Sequence, residues 1–225
     1  SAHCARDREA LMSEWWTYSI SDFLLFSRET YFRLFERYHH DVWPLQIAAL
    51  AAGIAILALA LYGKGGRTIA VLLATAWLWV AWAFHFRRYA TIQWAATYYA
   101  AAFVIQSLLV LWTGAIRNRF DEKGRGRWPG LALIAMAVAA PPFLPGRIEL
   151  FALTPDPTAL ATIGVVLALG ARVRTSLLVI PLLWCAVTCA TLWSMRTPDA
   201  LLPLLAPIAA IALHWQAIGR HSRQR

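Results

Sequence analysis

Charged side chains are scarce in this sequence. Of its 225 residues only 15% are Asp, Glu, Lys or Arg, whereas 60% are hydrophobic and the mean hydropathy is +0.52. A soluble domain of this length is about half apolar and roughly a quarter charged, because it covers itself with polar side chains. Long apolar runs separate the few charges, which is typical of membrane spans. The composition therefore predicts an all-α membrane protein with almost no soluble mass.

The apolar runs contain no lysine, and every Asp and Glu is predicted to lie outside them, in a loop or at an interface. Proton- and cation-driven transporters need ionisable groups at membrane depth, so this pattern disfavours a proton- or sodium-driven antiporter. A broken helix near Pro141 and Pro142 could form a binding site from backbone atoms, so the sequence does not exclude other kinds of transporter. The absence of lysine excludes a retinal Schiff base, and with it a rhodopsin-type photoreceptor.

Catalytic motifs are also missing. The sequence has no GxSxG, SxxK, HExxH or P-loop motif, and no GxGxxG after a strand. Its three cysteines form no CxxC, which excludes a zinc ribbon and a thioredoxin-like motif. Cys185 and Cys189 are interpreted as packing residues on one helix. The sequence thus favours a protein that is not an enzyme, and it identifies no cofactor.

Charge and hydrophobicity divide the chain into four segments. Residues 1–11 are charged and precede Met12, so we interpret them as a non-native or disordered extension. Residues 12–41 are aromatic and charged, residues 42–218 form the transmembrane bundle, and residues 219–225 are a basic cytoplasmic tail.

The second segment predicts an amphipathic helix that lies in the membrane interface. Ser27 is a favoured N-cap residue, and Glu29 falls in the first turn, where the helix dipole stabilises an acid. Apolar side chains recur at helical spacing on one face, and charged ones occupy the other. The apolar face consists of Tyr31, Leu34, Phe35, Tyr38 and Val42.

Seven spans are predicted within the bundle. The fifth is short for a full crossing, which indicates that its neighbours shield it. Asp156 is predicted as the N-cap of this span, with Pro157 at the first helical position. The spans cover about residues 42–62, 68–86, 89–116, 128–144, 158–171, 175–195 and 199–218.

The loops predict the orientation, because Lys and Arg are retained on the cytoplasmic side. One set of loops holds twelve of them and the opposite set four, the N-terminal segment set aside. The N-terminus is therefore expected outside and the C-terminus inside. The net charge of +9 is then explained by contact with anionic lipid, not nucleic acid. The twelve are Lys64, Arg67, Arg117, Arg119, Lys123, Arg125, Arg127, Arg172, Arg174, Arg220, Arg223 and Arg225, and the four are Arg87, Arg88, Arg147 and Arg196.

Aromatic and neutral polar residues in the spans predict a candidate ligand cavity. Trp79 and Trp82, with Phe86 four residues further on, are compatible with one face turned into the bundle, where rings can hold a cation or a planar ligand. The alternative is that the rings form interface belts and the polar groups hydrogen-bond between helices. The candidate cavity residues are Trp79, Trp82, Gln93, Thr97, Ser107 and Thr188.

A metal site on the outer face is a second hypothesis. His39 and Asp41 precede the first span, and His85 lies at the outer end of the second. Imidazole and carboxylate groups suit zinc, copper or iron. The alternative is that all three are solvated interfacial groups.

Several stretches resemble an uncharacterised family of bacterial multi-pass membrane proteins. They are Trp15–Leu24, Tyr31–Glu36, Asp41–Pro44 and Pro155–Thr158. The family is a domain of unknown function whose members are loosely labelled permeases. The resemblance implies a bacterial inner-membrane protein with no established activity, and it assigns no functional residues.

Three functions remain open on the sequence. The first is a small-solute permease or ligand-binding membrane protein. The second is a non-catalytic accessory subunit that packs against other membrane subunits or forms a homo-oligomer. The third is a membrane enzyme with the His39, Asp41 and His85 metal site.

Overall fold

In a computed structural model the described residues, 26–120, 127–139, 148–169 and 176–222, are helical or lie in short connections between helices, with side chains described to residue 216. The predicted extension, the first part of the aromatic segment and the end of the basic tail lie outside them. The helices are α1 Arg28–Asp41, α2 Leu45–Tyr62, α3 Gly66–Trp79, α4 Ala96–Val110, α5 Trp128–Ala139, α6 Pro155–Leu169, α7 Ser176–Ser194 and α8 Leu202–Ser222.

Two of these helices continue as π-helix. Val80–Phe86 extends α3 and Leu111–Ile116 extends α4, and Tyr89–Thr91 forms a short 3₁₀ turn after the first. The π geometry appears in the hydrogen bond from Arg87 N to Trp82 O, which spans five residues. Such turns widen the helix locally and are frequent at functional sites.

Four helices are long and apolar enough to cross a membrane: α2, α7, and α3 and α4 with their extensions, Gly66–Thr91 and Ala96–Ile116. Three shorter helices are apolar too. Only 22% of the α2 window is buried inside the protein, so most of its apolar surface points outward. A soluble monomer rarely exposes so much contiguous apolar surface. The all-α class is confirmed in the described residues, and the four helices are compatible with a membrane protein.

The helices run between two ends of the bundle. At one end, which we call the α1 end, Asp41 pairs with Arg88 after the end of α3. At the opposite end, Gly63 and Gly65 take left-handed conformations and turn the chain from α2 into α3. There, Arg127 Nη1 donates to Leu61 O at 3.3 Å, which places the start of α5 beside the end of α2.

Helix α1 confirms the predicted N-cap, since the Ser27 side chain accepts a hydrogen bond from Thr30 N. Its aromatic face packs on the end of α3. Phe35 and Tyr38 lie 5.1 Å and 5.6 Å from Phe84 between ring centroids, and Tyr31 lies 6.0 Å from Tyr89. The face predicted to rest on the membrane therefore contacts the bundle.

Helices α5 and α6 form the tightest pair. A Cβ on Gly130 would lie 2.5 Å from Gly164 O, and one on Gly164 would lie 2.6 Å from Gly130 O. The 15 residues of α6 are almost all buried, and at about 1.5 Å per residue the helix is shorter than the ~30 Å hydrocarbon layer. The neighbours shield this short helix on every side. Because α6 already begins at Pro155, Asp156 lies in its first turn and not at the predicted N-cap position.

Candidate functional site

His85 is the most deeply buried ionisable side chain of α3. It sits in the π segment, where three consecutive residues, Ala83, Phe84 and His85, are all buried, and its own exposure is 0%. Aromatic rings surround the imidazole. Phe103 of α4 lies 4.4 Å and Trp184 of α7 lies 4.9 Å from it between ring centroids.

Neither ring nitrogen of His85 has a hydrogen-bond partner among the described residues. A buried polar group without a partner costs about 1–3 kcal/mol, and native structures contain few such groups. An apolar ring of similar size would avoid this cost. The unpaired nitrogens therefore point to a function beyond packing, such as binding a water molecule or a solute.

Asp156 supplies a buried carboxylate next to this ring shell. Its Oδ1 accepts hydrogen bonds from Trp184 Nε1 at 2.6 Å and from Thr188 Oγ1 at 2.7 Å. The two donors are one turn apart on α7, so they hold the carboxylate against that helix. Because the Trp184 ring also contacts His85, one side chain joins the carboxylate to the imidazole.

Two tyrosines form the wall of the site toward α1. Tyr89 and Tyr99 are stacked at 6.4 Å, and each lies about 6 Å from His85 between ring centroids. Tyr99 also lies 5.4 Å from Trp184. The arrangement is a set of aromatic rings packed around an imidazole, next to a carboxylate. We call it the His85 cluster: His85, Tyr89, Tyr99, Phe103, Asp156, Trp184 and Thr188.

Of the acids predicted to lie in loops or at an interface, Glu149 and Asp199 lie in connections between helices, and Asp156 lies in the first turn of α6. Asp156 belongs to α6 and is buried, and Glu149 and Asp199 are buried as well. These three acids precede or begin helices, where the sequence reads as a connection, but those connections fold inward. The inference against a proton- or sodium-driven antiporter stays a prediction.

The predicted ligand-cavity residues do not line one cavity. Trp82 is 52% exposed and Thr97 is exposed too, so both face away from the bundle. Trp79 donates through Nε1 to Tyr38 Oη at 3.0 Å, and Ser107 donates to Ala74 O at 2.7 Å.

Gln93 is buried at the start of α4. Thr188 is the one predicted cavity residue that belongs to the His85 cluster. Ser107 joins α4 to α3 and so fits the alternative, in which such groups hydrogen-bond between helices.

His39, Asp41 and His85 are not brought together as a metal site. His39 Nδ1 bonds Phe35 O at 2.9 Å, and burial lowers the pKa of this histidine. The carboxylate of Asp41 pairs with Arg88 at 2.9 Å, and this contact lowers its pKa. In the described part of the chain, no group of three or more His, Cys, Asp or Glu side chains is placed to hold a metal ion.

The sequence carries one signal for the His85 cluster. Two helices each contribute two members four residues apart, Tyr99 and Phe103 of α4 and Trp184 and Thr188 of α7. Such spacing places two side chains on the same face of a helix. Each pair alone is common in apolar helices, and only their convergence on Asp156 distinguishes them from ordinary packing.

The chain belongs to a family of unknown function (DUF6064), which it matches over residues 28–225. This confirms the predicted resemblance, and the match includes Tyr31–Glu36, Asp41–Pro44 and Pro155–Thr158. No curated protein and no solved structure matches the chain significantly.

Proposed function

We propose that this protein is a multi-pass membrane protein that binds a small solute inside its helix bundle, at the His85 cluster, and acts as a permease or ligand-binding protein. The observation that carries the proposal is the imidazole of His85, which is fully buried and has no hydrogen-bond partner for either nitrogen among the described residues. An ionisable side chain buried inside an apolar helix bundle is a functional-site hypothesis in itself.

The proposed topology has α2 to α8 as seven spans and α1 at the membrane interface. Four helices long and apolar enough to cross a membrane, and three shorter apolar helices, support it. The bias of Lys and Arg toward the loops opposite α1 favours an N-terminus outside and a C-terminus inside. The resemblance to bacterial proteins favours the bacterial inner membrane.

The chemistry of the cluster favours a small polar solute with a cationic or N–H donor group. Ring faces attract cations, and a carboxylate accepts hydrogen bonds from N–H donors. A neutral imidazole can accept one hydrogen bond and donate another. Tyr89 and Tyr99 extend the His85 cluster toward the α1 end, which is the side from which we expect a solute to enter.

His85→Phe tests the proposal, because phenylalanine preserves the ring and removes both nitrogens. We expect this variant to fold at least as stably as the wild type. Its free energy of unfolding should rise by about 1 kcal/mol or more, since no unpaired polar group remains buried. We expect it to lose uptake or binding in proteoliposomes across a panel of neutral and cationic solutes. His214→Phe, on α8, is the matched control and should transport normally.

Two results would contradict this function. One is a His85→Phe protein that handles the solute as the wild type does. The other is a wild type that neither binds nor moves any member of the panel. Stoichiometric co-purification with other membrane proteins in that second case would favour the accessory-subunit function instead.

A further inference from the structure

A second polar site lies on the surface at the α1 end, apart from the His85 cluster. It is a cleft of about 370 Å³ between α1 and the segment that follows the π-helix. Arg33 and Arg37 line it from α1, and Arg87 and Arg88 line it from the other side. We call it the arginine cleft. The remaining lining residues are Thr30, Leu34, Asp41, Thr91 and Ile92.

The arginine cleft carries an excess of positive charge. Four guanidinium groups face one carboxylate, that of Asp41, so the lining sums to 4 − 1 = +3. Arg88 is held in place, because it pairs with Asp41 at 2.9 Å and lies 4.9 Å from the centroid of the Tyr38 ring. The positive charge of the cleft is thus concentrated around the fixed side chain of Arg88.

The other three guanidiniums have no carboxylate within ion-pair distance in the described part of the chain. Arg33 and Arg37 are one turn apart on an exposed face of α1, and Arg87 stands opposite, 5.8 Å over the Trp82 ring. Like charges repel one another, and an anion between them removes that repulsion. The excess positive charge of the cleft therefore favours a negatively charged ligand.

The donor set matches a phosphate group. A guanidinium presents a planar fork of N–H donors that binds two phosphate oxygens at once, and several forks can surround one phosphate. Leu34 and Ile92 add an apolar part to the lining, which suits the glycerol or acyl portion of a lipid. Exposed rings at the same end, Trp82, Phe86 and Trp94, are the kind that mark the headgroup level of a membrane.

We propose that the arginine cleft binds a phosphate group, that of an anionic phospholipid headgroup or of a free phosphate compound. Bound there, the phosphate bridges α1 to the end of α3 and so joins the interfacial helix to the bundle. The lipid is the source that the exposed rings favour. This inference does not depend on a solute at the His85 cluster.

Binding of lipid to the full chain tests the proposal. The double variant Arg33→Gln/Arg37→Gln removes two guanidiniums from exposed positions where folding does not need them. The control, Arg117→Gln/Arg119→Gln, removes the same charge at the opposite end. Native mass spectrometry would count phosphatidylglycerol and phosphatidylcholine bound to each protein, extracted from nanodiscs that hold equal amounts of both.

We expect the wild type and the control to retain phosphatidylglycerol over phosphatidylcholine, and the cleft variant to bind it at least about tenfold more weakly. A second arm adds inorganic phosphate or glycerol phosphate to lipid-free detergent samples. One outcome in these detergent samples is that phosphate raises the melting temperature of the wild type and leaves that of the cleft variant unchanged. If the wild type also shows no preference between the two lipids, the cleft is assigned to a free phosphate compound. Equal lipid and phosphate binding by both double variants overturns the proposal.

Discussion

The His85 cluster and the arginine cleft lie at the same end of the bundle and share the end of α3. Their polar groups nevertheless have opposite environments, since those of the cluster are buried and most of those in the cleft are exposed. The cluster buries an imidazole and a carboxylate among rings, so that two donors from α7 hold the acid. The cleft places three exposed arginines and the half-buried Arg88 around one acid. The same π-helix separates the two regions, with His85 inside and Arg87 outside.

The difference shows where each region's polar groups gain their stability. In the cluster, each hydrogen bond compensates a desolvated group, so its loss is expensive. In the cleft, water solvates the charges, so each contact contributes little to folding and the excess charge is available to a ligand. Substitutions that break a hydrogen bond should therefore destabilise the cluster strongly, and substitutions of the charged residues should destabilise the cleft weakly.

Asp156→Ala should have the largest effect on folding. It leaves Trp184 Nε1 and Thr188 Oγ1 buried without their acceptor, which at about 1–3 kcal/mol each lowers the free energy of unfolding by about 2–6 kcal/mol. Asp156→Asn keeps an acceptor oxygen and should lose less. Thermal unfolding in detergent measures the stability of the wild type and of the two variants. If Asp156→Ala is as stable as the wild type, the two hydrogen bonds do not stabilise the cluster.

Tyr38→Phe should have an intermediate effect, because Tyr38 lies between the two regions. Its hydroxyl accepts a hydrogen bond from Trp79 Nε1, and Arg88 lies over its ring. Removing the hydroxyl should lower the free energy of unfolding by about 1 kcal/mol, the usual worth of one hydrogen bond.

The alkaline side of the pH profile gives this variant a second readout. Burial raises the pKa of Tyr38 to about 12. The neutral phenol thus stabilises the fold fully below the ordinary tyrosine pKa of about 10, and this stability is lost as the pH rises through 12. Between pH 9 and 12 the wild type should lose more stability than Tyr38→Phe. Parallel profiles would contradict the burial of this phenol.

Asp41→Asn should have the smallest effect, and one that depends on pH. The hydrogen bond from Arg88 lowers the pKa of the exposed Asp41 carboxyl. A depressed acid stabilises the fold above its unfolded pKa, and that contribution is lost as the pH falls through the folded pKa. The melting temperatures of wild type and variant should therefore differ slightly near pH 7 and converge in acid, where the Asp41 carboxyl becomes protonated.

Salt provides the control for this last effect. The Asp41–Arg88 contact is exposed, so about 1 M salt should remove most of the difference at pH 7. A difference between wild type and Asp41→Asn that persists in salt and acid would show that Asp41 stabilises the fold by another contact.

Much of the fold follows from local pattern. The apolar runs predict α2, α7, and α3 with its extension within a few residues, because a long uncharged apolar run is recognisable from its own composition. Ser27 marks the start of α1 for the same local reason, since an N-cap needs only its own turn. Asp156 was misplaced by one such local rule, because a capping residue and a buried first-turn acid look alike in the sequence. The start of α4 was expected at about residue 89, whereas the helix begins at Ala96.

That Trp79, Trp82, Gln93, Thr97, Ser107 and Thr188 do not line one cavity could not be predicted from composition. Periodicity identifies a face of a helix but not the neighbour that this face meets. In α3 the π turn changes the direction of every side chain after Trp79, and Trp82 consequently faces outward while His85 faces inward. A single extra residue in a turn is invisible to a pattern of fixed period.

The sequence by itself determined that this chain is helical, apolar enough for a membrane and a member of its family, because these properties depend on composition and on residues close together in the chain. Only the tertiary structure decided that His85, Asp156 and Trp184 meet, and that Arg33 and Arg37 face Arg87 across a cleft. Both sites are contacts between helices far apart in sequence. Their geometry depends on how side chains of different helices pack, which no single helix specifies.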